Sequence, residues 1–154
     1  MNDTFGSVNE LLDFAIGKEE EASKFYGSLA ERTDNSSIKE LFLSFSKEEL
    51  KHKAKLEAVK EGKIMLSVSQ KIQNLRIADY LAKVDIELNA EFDFQKALIV
   101  AMQREKASFK LYTDLAAITD NPELEELLLG LAQEEAKHKL YFEIQYDEHI
   151  LTEN

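Results

Sequence analysis

The chain has 154 residues, 30 acidic against 19 basic, with a formal net charge of −11, 44% apolar residues and no cysteine. That length suits one domain around one core. The charge works against binding a nucleic-acid backbone or an anionic membrane surface, which need Lys and Arg, and the lack of thiols excludes disulfides, zinc-thiolate sites and iron–sulfur clusters. Five Gly and one Pro are too few for the turns of an all-β chain. No apolar run approaches the length of a membrane span. The N-terminus, MNDTFGSVNE, is polar and acidic rather than a signal peptide, so a cytoplasmic protein is expected.

In chain order, Ser7 followed by Glu10 reads as a capping box opening a first helix. Its inward stripe is Val8, Leu12, Ala15, Glu19, Ala22, Tyr26 and Leu29, at three- and four-residue steps. The segment Thr33-Asp34-Asn35-Ser36 stops that helix, and Ser37 with Glu40 reads as the next capping box. The second helix shows Ile38, Phe42, Phe45, Glu49, His52, Leu56 and Val59 on one face. A connector follows, over about residues 61–91, too long for a tight helix–helix turn. Within it, Ile77 to Leu88 is periodic enough for a short extra helix. The third helix carries Phe94, Leu98, Ala101, Glu105, Ser108, Tyr112 and Leu115. Asn121 is a good N-cap with Pro122 in the first helical position, and the fourth helix presents Leu124, Leu128, Leu131, Glu135, His138 and Phe142. The expectation is an all-α, single-domain chain over 1–154, with one helical hairpin at about 8–60, a crossover at about 61–91 and a second hairpin at about 92–150. Two short hairpin loops and one long crossover are the connectivity of a ferritin-like four-helix bundle.

The two halves repeat one pattern at an offset of 86 residues, which carries Glu19 onto Glu105, Tyr26 onto Tyr112 and Thr33-Asp34-Asn35 onto Thr119-Asp120-Asn121. The same offset carries Glu48-Glu49-Leu50-Lys51-His52-Lys53 onto Glu134-Glu135-Ala136-Lys137-His138-Lys139 without a gap. Each helix thus places one Glu in its apolar stripe, and two helices add a His one turn later on the same face. Four uncompensated carboxylates in a core would cost many kcal/mol. Two divalent cations balance their charge, and neutral imidazoles complete the coordination. Glu19, Glu49, His52, Glu105, Glu135 and His138 are therefore the candidate ligands of a two-metal centre. A carboxylate and imidazole set suits iron or manganese, and less selectively zinc. One Glu from each of two helices plus Glu-x-x-His from the other two is the general description of a di-iron carboxylate bundle, and these residues are matched to that description. A lone Glu-x-x-His would be weak, since Glu is abundant here and an inward His is most often a satisfied core residue. The matched placement in a repeat is what favours metal.

The stripe also selects among neighbouring acids. Two turns either side of Glu49 stand Phe42 and Leu56, whereas Glu48 has Leu41 and Lys55. Glu19 lies between Leu12 and Tyr26, and Glu20 between Asp13 and Gly27, a solvent face. Glu134 and Glu135 are less cleanly separated, and the repeat selects Glu135. Tyr26 and Tyr112 follow the ligand Glu residues by two turns. Each hydroxyl either bonds a ligating carboxylate or is the polar tip of an ordinary core tyrosine. His149 has no ligand motif and is expected on the surface.

The segments KEEEASKFYGSLAERT, KEELKHKAKLE, REKASFKLYTDLAAIT and QEEAKHKLYFE resemble the rubrerythrin family of ferritin-like di-iron proteins. The resemblance implies that Glu49 and Glu135 bridge two irons, that Glu19 and Glu105 are terminal ligands, and that His52 and His138 each bind one ion. It also implies a centre that reacts with hydrogen peroxide or dioxygen when reduced. The chain departs from the family pattern in two places. It has no Cys for a rubredoxin-like part, so electrons would come from a separate protein. The additional Glu one turn after the third-helix ligand is replaced by Ser108, and the corresponding first-helix place is Ala22. Bacterioferritins share the six ligands but hold haem through a Met where this chain has Leu50, so haem is not expected. The expected function is a di-iron oxidoreductase of peroxidase or oxidase type, as a homo-oligomer, most simply a dimer. The alternatives are iron storage with ferroxidase activity, which needs a closed cage, and a structural bundle with a vestigial site.

Overall fold

The computed structural model describes residues 4–62, 75–81 and 94–153, with side chains of the last stretch described through Glu148. Four long helices account for nearly all of them: α1 (Val8–Arg32), α2 (Ser36–Gly62), α3 (Phe94–Ile118) and α4 (Pro122–Glu153). The helix boundaries obey the sequence repeat. Displaced by 86 residues, both ends of α1 fall on the ends of α3, and the start of α2 falls on the start of α4. The chain folds as two compact units, one built on α1 and α2, the other on α3 and α4.

In the first unit α1 and α2 run antiparallel, joined by the three residues 33–35. The pairs Lys60–Asp13, Tyr26–Phe45 and Ser23–Ser46 mark the register along their length. Every residue of the first-helix stripe is buried, and so are Phe42, Phe45, Leu56 and Val59 of α2, while Ile38 is only partly covered. In the second unit Gln95 reaches Tyr146 and Glu105 faces His138, so α3 and α4 are antiparallel too. Leu98, Ala101, Tyr112, Leu115, Leu124, Leu128, Leu131 and Phe142 fill that core. Each buried Leu or Phe contributes about 1.5–3 kcal/mol relative to exposure, which dwarfs the modest intrinsic helix propensities.

The caps follow the sequence with two corrections. Ser7 accepts from the Glu10 amide, but the Glu10 carboxylate reaches back to the Gly6 amide at 2.7 Å, one residue beyond the usual capping-box partner. The expected box at Ser37 and Glu40 does not start α2. Asn35 does, its Oδ1 accepting from the amides of Ser37 and Ile38 at 3.0 and 3.1 Å. Asn121 accepts in the same way from Glu123 and Leu124. The Asn35 amide oxygen reaches two orphan amides at once, so it takes the cap from the serine two residues on. Asn35→Ala and Asn121→Ala should each lower the thermal midpoint of the metal-free protein by about 2–4 °C, for a loss of about 1 kcal/mol. A Ser37→Ala melt equal to that of Asn35→Ala would contradict this assignment.

Of the expected extra helix over 77–88, the described part is one 3-10 turn, Ile77–Tyr80, and the rest of that range lies outside the described residues. Tyr80 is buried and donates to Asp114 of α3 at 2.8 Å, with Lys110 on the same carboxylate and over the Tyr80 ring. Burial, helped by the Asp114 bond, pushes the Tyr80 phenol well above its usual range. The folded chain therefore holds this proton more tightly than the unfolded chain, whose tyrosines titrate near pH 10. The contribution to stability is complete below about pH 10 and declines as pH rises beyond it. Urea midpoints measured on either side of pH 10 should fall less steeply in Tyr80→Phe than in the wild type.

Candidate metal centre

In the first unit, α1 contributes Glu19, and α2 contributes Glu49 and His52 one turn apart. His52 Nδ1 lies 3.5 Å from Glu19 Oε2 and 3.5 Å from Glu49 Oε1. One donor atom from each of the three falls within 4.8 Å of the others. In the second unit, α3 contributes Glu105, and α4 contributes Glu135 and His138, again with donor atoms within 4.8 Å of one another. His138 Nδ1 stands 3.6 Å from Glu105 Oε1. The structure thus gathers the six sequence candidates as two triads of like composition.

None of the six is more than 3% exposed. Each Glu is held between side chains two turns away that are themselves almost wholly buried: Leu12 and Tyr26 about Glu19, Phe42 and Leu56 about Glu49, Leu98 and Tyr112 about Glu105, Leu128 and Phe142 about Glu135. Glu134, which the stripe separated poorly from Glu135, is only partly covered, and so is Glu48. Glu20 is on the surface, with Lys24 and Lys53 at 4.0 and 3.6 Å. His149 lies among the residues whose side chains are not described.

The geometry fits a shared ion better than mutual hydrogen bonding. A good N–H···O bond is about 2.9 Å. The observed 3.5 and 3.6 Å separations exceed that, and the donors converge closely enough to share an ion. Carboxylates with imidazoles and no thiolate form a donor set for iron, manganese or zinc. Water is excluded by the flanking aromatic and aliphatic side chains, which raises the cost of leaving such acids without a cation.

Tyr26 and Tyr112 are both buried, and the Tyr26 ring packs against Phe25 and edge-on to Phe45. Ala22 is buried and Ser108 partly so. One supporting feature escaped the sequence reading. Ser23, one turn after Glu19, and Ser46, one turn before Glu49, form a hydroxyl pair at 2.8 Å, and Ser46 also donates to the Ser23 carbonyl. This clamp fixes α1 against α2 beside the first triad. The repeat concealed it, because the matching positions are Phe109 and Ala132.

A family model described as Rubrerythrin matches residues 10–146. No curated protein matches the chain. Among solved structures, a Thermotoga maritima protein described as ferritin-like and diiron-carboxylate is similar, at 20% identity, over 96% of this chain and 99% of that one with a TM-score of 0.75. A hypothetical protein from Pyrococcus furiosus is similar at 25% identity, over 92% of this chain and 89% of that one with a TM-score of 0.68. The fold is accordingly the ferritin-like one of two helical hairpins joined by a long crossover, as the helix pattern predicted. Among the described residues no helix is long and apolar enough to cross a membrane.

Proposed function

Because this chain belongs to the rubrerythrin family, we propose that Glu19, Glu49, His52, Glu105, Glu135 and His138 hold a di-iron centre, and that the protein is an oxidoreductase acting on hydrogen peroxide or dioxygen. The observation that carries this reading is the pair of buried Glu plus Glu-x-x-His triads, like in composition and related by the repeat. The description of the Thermotoga maritima protein as diiron-carboxylate supports it.

In this reading Glu49 and Glu135 would each serve both ions, Glu19 and Glu105 would each serve one, and His52 and His138 would bind one ion each. Four carboxylates then balance two divalent charges, and the buried site is neutral overall. When bound, the two ions together supply the two electrons that reduction of peroxide requires. The protein's own part is positional. Long helices fix the carboxylates, and the Ser23–Ser46 clamp holds the first pair of helices in register. The aromatic and aliphatic side chains two turns above and below each Glu keep bulk water from the reacting volume. Tyr26 and Tyr112 hold ligating carboxylates through their hydroxyls. A separate protein supplies electrons.

The test is anaerobic loading with ferrous ion followed by rapid mixing with peroxide, and separately with oxygen. Oxidation of protein-bound iron should outpace that of free ferrous ion under the same conditions. Equal rates with both oxidants would refute the redox assignment.

A further inference from the structure

The outer face of α2 carries Leu43 and Leu50, 43% and 47% exposed, on the side opposite the ligands. Beside them runs a ridge of Lys47, Lys51 and Lys55, all exposed, at four-residue spacing. Like charges at that spacing repel and destabilise a helix. Among the described residues none of these three makes an ion pair, whereas Lys53 and Lys60 of the same helix pair with Glu20 and Asp13. The repeat places Gln133, Lys137 and Tyr141 at the matching positions of α4, so the basic ridge belongs to α2 alone.

The opposite character appears at the start of α4. Glu125, Glu126, Leu129 and Gly130 line an open concavity of about 590 Å³. Leu129 is 42% exposed, and a side-chain carbon added at Gly130 would meet nothing within 4 Å, which leaves a notch in the helix surface. Glu125 and Glu126 are exposed and make no ion pair among the described residues. Leu129 is also the repeat counterpart of Leu43, but the charged residues around the two differ in sign.

We propose that the outer face of α2 docks on the start of α4 of a second copy of this chain, Leu50 seated in the Gly130 notch and Lys47 and Lys51 against Glu125 and Glu126. Charge complementarity selects this occupant. A chain of net charge −11 repels its copies at long range, but at physiological salt the Debye length is about 8 Å, so the local match of ridge and concavity governs contact. The proposal is independent of the metal chemistry.

Sedimentation of the full chain tests it with two charge-reversed variants, K47E/K51E and E125K/E126K. All four positions are exposed and none is a ligand, so helix content by circular dichroism and iron uptake serve as folding controls. The wild type should associate. Each variant alone should weaken association tenfold or more, and raising the salt should weaken the wild type in the same direction. An equimolar mixture of the two variants should restore it, because every reversed lysine then meets a reversed glutamate. A wild type that sediments as a single chain overturns the proposal. So does a variant that associates as well as the wild type, or a mixture that fails to recover association.

Discussion

Glu49→Ala or Glu135→Ala should reduce anaerobic ferrous uptake from about two ions per chain to one or fewer. In the proposed arrangement Glu49 and Glu135 would each serve both ions, so their loss should affect both, whereas loss of Glu19, which would serve one, should act mainly on that one. The neighbouring acids provide the contrast. Glu20→Ala, Glu48→Ala and Glu134→Ala each remove a carboxylate one residue from a ligand, yet Glu20 is engaged with surface lysines and the other two are only partly covered. Uptake in these three variants should stay at the wild-type level. Elemental analysis after the titration, with circular dichroism to confirm folding, decides the matter. Equal loss in Glu134→Ala and Glu135→Ala would mean that the register of α4 has been misassigned. Unchanged uptake in Glu135→Ala would remove the bridging role altogether.

The register of all four helices was legible because core burial and ligand placement use the same helical period. An inward Glu shares a stripe with Leu12 and Tyr26, or with Phe42 and Leu56, and those apolar neighbours identify it. The criterion weakened at Glu134 and Glu135 for a physical reason. Leu127 and Tyr141 flank Glu134 as apolar neighbours of their own, so only the repeat separated it from Glu135, whose burial agrees. The α2 cap was misread because a Ser–x–x–Glu pattern was weighed locally, although the repeat already aligned Asn35 with the well-marked cap Asn121. The Ser23–Ser46 clamp was illegible for the opposite reason. It exists in one half only, and hydroxyl pairing between helices has no periodic signature. The crossover shows a third kind of limit. The turn at Ile77–Tyr80 is held by Tyr80 on Asp114, a long-range bond that no local pattern announces.

Metal-free protein should be the less stable form, and replacing one ligand should reverse the order of stabilities. Without cations the two units still carry Glu19, Glu49, Glu105 and Glu135 in apolar surroundings. Bound metal at a hundredfold excess over its dissociation constant adds about 2.7 kcal/mol, which for a chain of this size is about 5–11 °C in thermal midpoint. Glu135→Leu keeps a similar side-chain volume between Leu128 and Phe142 and removes one buried carboxylate. In the presence of chelator this variant should unfold at higher urea than the wild type, by about 1–3 kcal/mol. With ferrous ion under anaerobic conditions the order should invert, since the variant has lost a bridging donor. A purely structural bundle gives a different result. There the carboxylates would be stabilised by the protein alone, metal would change nothing, and Glu135→Leu would lower stability with or without chelator. The sign of one difference, measured twice, therefore separates a fold that tolerates its buried acids from one that keeps them for a cation.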